Sequence, residues 1–143
     1  KNGQPKSVFD CACGSGDVSI ELAKKFPNAK IIGGDFCEEM LELAKEKASK
    51  QNLKIEFLFA DCQKLPFEDS QFDAVTISFG FRNFKDRNSC LKELIRVLKP
   101  NGILAILEVA KAEGIFQKIQ KISSLQARQA RVKPSLHKQL QML

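Results

Sequence analysis

The chain contains no tryptophan and no tyrosine, a single histidine (His137), and no apolar run approaching the ~20 residues that cross a bilayer. No leader pattern of basic then apolar residues opens it, so the expected location is the cytoplasm. His137 lies outside every motif described below and is expected to be a solvated surface residue. Cysteine is present but does not form a framework. Cys11, Cys13, Cys37, Cys62 and Cys90 are odd in number and scattered. Cys11 and Cys13 lie too close together, and lack the second pair, for a zinc site, so reduced thiols and no metal are expected. There are no internal repeats. With 143 residues and 43% hydrophobic composition, the chain has room for one core.

The most informative segment is Asp10-Cys-Ala-Cys-Gly-Ser-Gly-Asp17. It follows a short apolar run and precedes a helix-like stretch, Val18–Phe26. A small-residue loop between a buried strand and a helix lets a ligand lie against bare backbone. Gly14 and Gly16 can adopt positive φ there, and the helix N-terminus aims its N–H groups at the ligand. The flanking acids, Asp10 and Asp17, would repel a pyrophosphate but suit a cationic, zwitterionic ligand, which points to S-adenosylmethionine over a dinucleotide. Asp35 ends a second apolar run nineteen residues after Gly16, where nucleotide-binding α/β units place an acid on ribose hydroxyls. The competing reading of Asp35 is an N-cap for the helix Glu38–Lys50. A third run, Lys54–Ala60, ends in Asp61 and Cys62. That carboxylate could accept the exocyclic amine of adenine, with the Cys62 N–H meeting a ring nitrogen. A fourth, Phe72–Phe79, opens onto Gly80-Phe-Arg-Asn83.

Apolar runs at Val8–Cys11, Ile31–Gly34, Ile55–Ala60, Ala74–Phe79 and Ile103–Val109 alternate with helices expected at Val18–Phe26, Glu38–Lys50 and Ser89–Leu98. Continuous apolar strands imply burial on both faces, hence an α/β fold with five recognisable parallel strands and helices either side. Met40, Leu41, Ala44 and Ala48 are expected to share one buried helical face, as are Leu91, Leu94, Ile95 and Leu98. Pro27, Pro66 and Pro100 fall between elements. Only a turn, Pro66–Ser70, is expected between the third and fourth strands.

These segments resemble class I methyltransferases. The resemblance rests on Asp10-x-Ala-Cys-Gly-Ser-Gly-Asp17, Leu65-Pro-Phe-Glu-Asp69 with Phe72-Asp73, Ile77-Ser-Phe-Gly-Phe-Arg-Asn83, and Arg96-Val-Leu-Lys-Pro-Asn-Gly102 followed by Leu107-Glu108. More narrowly, they resemble the C-methyltransferases of menaquinone and ubiquinone biosynthesis, the Ser-Phe-Gly-x-Arg-Asn segment being the more discriminating. The resemblance covers about Val8 to Lys111. It implies a Rossmann-like sheet and S-adenosylmethionine as cofactor, with contacts at Ser15, Asp35, Asp61, Cys62 and Ser78 alongside Asp10, Gly14 and Gly16 of the loop. Ala12 stands where the general pattern has its first glycine. A complete enzyme of this class has more strands and a helix before the first. The expectation is therefore a fragment, without the lid helix and the edge strands.

The implied reaction is methylation of a ring carbon of a prenylated quinol, with demethylmenaquinol and the ubiquinone precursor both open. Methyl transfer is an in-line displacement in which positioning matters most. Arg82 and Asn83 are the candidates to orient the quinol oxygen, a structural ion pair being the competing role for Arg82. The net charge of +6 resides in the tail: residues 1–110 hold sixteen basic and sixteen acidic residues, whereas 111–143 hold seven basic residues against Glu113. A core at 1–111 and a basic, helical tail at 112–143 follow, with Phe116, Ile119, Ile122 and Leu125 as the apolar stripe. Nothing from Ile115 onward reads as strand. The tail could touch an anionic membrane surface or simply pack on the sheet. Two rival functions remain. A methyltransferase acting on RNA, its basic tail holding phosphates, is disfavoured by the neutral body and by the absence of an Asn-Pro-Pro-Tyr-like tetrapeptide after the fourth strand. The other is a remnant that binds cofactor without catalysis.

Overall fold

A computed structural model describes residues 3–78, 80–107 and 130–132. Strands β1 (Ser7–Cys11), β2 (Lys30–Asp35), β3 (Ile55–Phe59), β4 (Phe72–Ser78), β5 (Leu98–Leu107) and β6 (Ala130–Val132) form one sheet in the order β3-β2-β1-β4-β5-β6. All pairings are parallel. Helices α1 (Asp17–Lys25) and α2 (Glu38–Lys50) cross on one face and α3 (Arg87–Arg96) on the other. The chain thus reverses its direction of travel between β1 and β4. A crevice opens above the carboxyl ends of the strands at such a switch point.

Local chemistry sets the helix ends. Asp17 opens α1 and Glu38-Glu39 opens α2, while Lys24-Lys25 and Lys47 with Lys50 close them, each charge complementing the helix dipole. Asp86 caps α3 by accepting the Ser89 N–H at 3.0 Å. Strand alternation sends Val8 and Ile31 against α1, and Phe9, Ile32, Val75 and Ile77 into the larger cluster containing Cys90, Leu91, Leu94 and Ile95 of α3. Both faces are therefore buried, as the unbroken apolar runs require.

In place of a helix, the Ala60–Gln71 connection packs Leu65 and Phe67 over this second face. The Phe67 ring centroid lies 4.8 Å from Phe9 and 4.9 Å from Phe72. Arg96 holds the connection by donating to the carbonyls of Phe67 (2.8 Å) and Leu65 (3.2 Å) and pairing with Asp69 (2.8 Å). Glu93 braces the guanidinium at 2.7 Å and accepts the Leu65 N–H at 2.7 Å. Asp73 accepts the N–H groups of Lys6 and Ser7 and pairs with Lys99, tying the entry of β1 to β5.

The structure corrects four expectations. β6 pairs Ala130, Arg131 and Val132 with Gly102, Ile103 and Leu104, so the tail, in which no strand was expected, adds a sixth to the five expected parallel strands. Three residues in a basic stretch carry too little pattern to read as strand. Pro100 lies within β5, inside an irregularity where pairing jumps from Phe72↔Leu98 to Ala74↔Ile103. Proline is tolerated there because the ladder is already interrupted. Met40 is 36% exposed, leaving Leu41, Ala44 and Ala48 as the buried face of α2. Leu98 belongs to β5, and α3 runs from Arg87 to Arg96. The helical stripe Phe116–Leu125 lies outside the described residues.

Candidate functional site

Between β1 and α1 the backbone takes left-handed conformations at Ala12 (φ 52°), Gly14 (φ 53°) and Gly16 (φ 84°). Gly16 is the N-cap of α1 and needs this freedom, since a Cβ there would also stand 2.8 Å from the Ala44 side chain. The loop is stitched by Gly16 N–H to Cys13 O and by Cys13 N–H to Gly34 O, both at 3.0 Å. Gly80, beyond β4, lets the loop pass closely: a Cβ on it would stand 2.8 Å from that of Ala12.

The acids read from the sequence divide into different roles. Asp35, at the end of β2, is buried and accepts the Gly14 N–H (2.8 Å) on one oxygen and the Cys37 N–H (2.9 Å) on the other. It is not the side-chain cap of α2, whose N-cap is Cys37. Each oxygen keeps a second lone pair, so the carboxylate can still accept from a ligand. Asp61 is exposed and turns the chain after β3, accepting the Gln63 N–H at 2.9 Å.

Asp10 departs from the expectation that it faces a ligand. It lies inside β1 rather than at its end, is 1% exposed, and accepts from Ser19 Oγ (2.6 Å) and Thr76 Oγ1 (2.9 Å). Burial pushes its pKa up to about 6, against those two hydrogen bonds. Asp17, the other acid flanking the loop, points outward to Lys47 at 2.6 Å, and that hydrogen bond holds it below the usual carboxylate range. The two flanking acids are therefore absorbed by the protein, and the carboxylates that face the crevice are Asp35 and Asp61.

A cavity of ≈ 200 Å³ sits at the switch point, lined by the ends of four strands. Cys11 and Ala12 come from β1 and its loop, Asp35 and Phe36 from the end of β2 and the residue after it, Ala60 to Gln63 from the segment after β3, and Asn83 to Lys85 from the segment after β4. Of the residues expected at the site, it brings together Asp35, Asp61, Cys62 and Asn83. Gly14 joins them through Asp35. Ser15 and Ser78 are half-buried outside the cavity lining, and Arg82 lies in the 3₁₀ turn Phe81–Asn83, its side chain outside the described set. The Cys62 side chain is buried, its thiol pushed well up by the adjoining Cys11 thiol and by burial, so ligand contact there falls to its backbone. The sequence reading missed Phe36, Gln63, Phe84 and Lys85. Phe36, 68% exposed, had a signal in the sequence: it directly follows the strand-end acid.

A purine nucleoside bearing a positive charge fits this set chemically. Two carboxylates supply acceptors for hydroxyl and amine donors, Phe36 and Ala60 supply apolar surface, and the glycine loop allows close backbone approach.

Comparison with known proteins agrees with that chemistry. The ubiE/COQ5 methyltransferase family matches residues 1–127. The demethylmenaquinone methyltransferase of Thermus thermophilus is 49% identical over 104 residues, covering 73% of this chain and 47% of that protein. The ubiquinone/menaquinone biosynthesis C-methyltransferase of Rickettsia prowazekii is 45% identical over 125 residues, covering 82% of this chain and 50% of that protein. Among solved structures, a SAM-dependent methyltransferase from Aquifex aeolicus superposes with a TM-score of 0.75 at 27% identity, covering 81% of this chain and 70% of that one. The chain spans about half the length of the curated relatives it matches. It belongs to the ubiE/COQ5 methyltransferase family.

Proposed function

We propose that this protein binds S-adenosylmethionine at the carboxyl edge of its sheet and methylates a ring carbon of a prenylated quinol, demethylmenaquinol or the ubiquinone precursor. One observation carries the reading: Asp35 is bonded to the glycine loop through Gly14 and lines the same cavity as Asp61 and Asn83. The relatives, a demethylmenaquinone methyltransferase and a ubiquinone/menaquinone biosynthesis C-methyltransferase, supply the acceptor class. The cofactor supplies a methyl group activated on a sulfonium. Asp35 accepts from its ribose hydroxyls, Asp61 from its adenine amine, and the Cys62 backbone and the Ser15 and Ser78 hydroxyls complete the contacts. Arg82 and Asn83 orient the quinol oxygen, so that the ring carbon faces the methyl group in line.

Among the described residues no helix is long and apolar enough to cross a membrane. A prenylated acceptor lies in a membrane, so the reading includes a cytoplasmic protein whose basic tail, 112–143, approaches an anionic surface from outside.

Two measurements test this. Calorimetric titration with S-adenosylmethionine should show Asp35→Ala weakening binding by about 1.5–3 kcal/mol, the worth of hydrogen bonds to a charged acceptor. Unchanged affinity removes Asp35 from the site. Labelled methyl from the cofactor should appear on a ring carbon of a demethylquinol, and label on oxygen, or on RNA instead, overturns the acceptor.

A further inference from the structure

We propose that Lys47 of α2 is a positioning residue for the cofactor loop. Its ammonium donates to Asp17 Oδ1 at 2.6 Å and to Ser15 Oγ at 3.2 Å, while Ser15 Oγ lies 3.3 Å from Asp17 Oδ2. The inference rests on the reading that S-adenosylmethionine binds at this loop.

Three left-handed residues between Ala12 and Gly16 make a backbone that persists only where its surroundings over-determine it. On the crevice side those constraints are Asp35 on the Gly14 N–H and Gly34 O on the Cys13 N–H. On the outer side the lysine joins the loop and the first turn of α1 to the last turn of α2. The loop is thus gripped from both sides by one β2–α2 unit.

The triangle also fixes what Ser15 can do. Its proton is directed to Asp17 and one lone pair is taken by Lys47. Its remaining capacity is a single lone pair, which accepts and cannot donate. Ser15 therefore meets a ligand as an acceptor, suited to an ammonium or hydroxyl donor and unsuited to a phosphate or carboxylate. Lys47 and Asp17 are both well exposed, so the pair adds little to global stability and its effect is confined to the loop.

The experiment compares the full chain with Lys47→Met and Lys47→Arg. For S-adenosylmethionine, Lys47→Met should raise Kd roughly threefold to tenfold, the lower part of the range of coupling between neighbouring groups, as suits an exposed pair. Lys47→Arg should recover the greater part, and Tm should be unchanged in both. Without ligand, the Gly16 amide, which donates to Cys13 O, should exchange faster in Lys47→Met alone, while the Gly14 amide on the Asp35 side keeps its protection. A Lys47→Met protein with wild-type Kd and wild-type Gly16 exchange overturns the role of Lys47. A wild-type chain that binds no S-adenosylmethionine overturns the reading of the site itself, and the ligand of this inference with it.

Discussion

Two irregular segments of this molecule are held in opposite ways. The loop from Ala12 to Gly16 is short, strained and open to the crevice, fixed by backbone bonds and by single contacts from Asp35 and Lys47. The connection from Ala60 to Gln71 is long, and beyond its cavity-lining start at Ala60 to Gln63 it is packed. Leu65 is buried, Phe67 meets two aromatic rings, and one arginine satisfies two of its carbonyls. The first keeps acceptors and backbone available above the sheet. In the second, the Leu65 N–H and the carbonyls of Leu65 and Phe67 are taken up by Glu93 and Arg96 of α3, and the packing contributes stability. Side-chain ties to backbone groups serve both, and what separates them is whether anything is left over for a ligand.

The largest way to break this contrast is Arg96→Met. It removes the donors to Leu65 O and Phe67 O and strands Glu93, whose side chain is mostly buried. A loss of about 2–3 kcal/mol in urea unfolding is expected, below the ~3–5 kcal/mol of a fully buried pair because Arg96 is part-exposed and Glu93 keeps the Leu65 N–H. Cofactor affinity of the folded fraction should stay at the wild-type value. A change below about 1 kcal/mol would show that the Ala60–Gln71 connection is held by its aromatic packing alone.

The same contrast explains what could be read from the sequence. Strands β1 to β4 and helix α2 were legible because unbroken apolar runs and a 3.6-residue stripe report burial directly. That Asp35 and Asp61 line the crevice was legible because a strand-end acid has few places to go in a parallel sheet. The inward direction of Asp10 was not legible, because strand alternation, not proximity to the loop, decides it. Asp10 lies one residue before the end of β1 and faces Ser19 and Thr76 across the buried side. Lys47 left no signal, since it reaches Asp17 across thirty residues of sequence. The sixth strand was illegible because Ala130-Arg-Val132 gains its partner only from the exposed edge of β5. Arg96 lies within a recognisable motif, yet its grip on Leu65 and Phe67 is a tertiary fact.

The next expected effect comes from Asp10, where the loop region gives up stability for charge. Its carboxyl ordinarily titrates near 3.8 and is raised to about 6 by burial. The folded state therefore binds a proton more tightly than the unfolded chain, and the contribution of Asp10 falls as pH rises from 3.8 to about 6. Above that window the cost is up to about 3 kcal/mol. Asp10→Asn keeps the shape and most hydrogen bonds without the charge. It should be more stable than wild type at pH 7, with the advantage shrinking toward zero at pH 4. Chemical unfolding at the two pH values decides it. An equal difference at both would mean that Asp10 carries no burial penalty.

The smallest effect sharpens the comparison where the strained loop touches the rest of the site. Gly80 has φ −101° and ψ −21°, a conformation any residue adopts, so Gly80→Ala introduces no backbone strain. What it introduces is a methyl group whose ideal position is 2.8 Å from the Ala12 side chain. Overpacking of this kind costs about 1–2 kcal/mol, and the displaced neighbour is the first left-handed residue of the glycine loop. Ala12→Gly removes the clashing methyl and also relieves a positive-φ alanine, against a similar gain in unfolded-chain entropy, so alone it should change stability by less than about 0.5 kcal/mol. The double variant Ala12→Gly with Gly80→Ala should then recover most of what Gly80→Ala loses. The coupling is read from unfolding of all four proteins and from their S-adenosylmethionine affinities. Strict additivity would mean that the loop and the segment after β4 move independently, and the two sides of the cavity would no longer be one site.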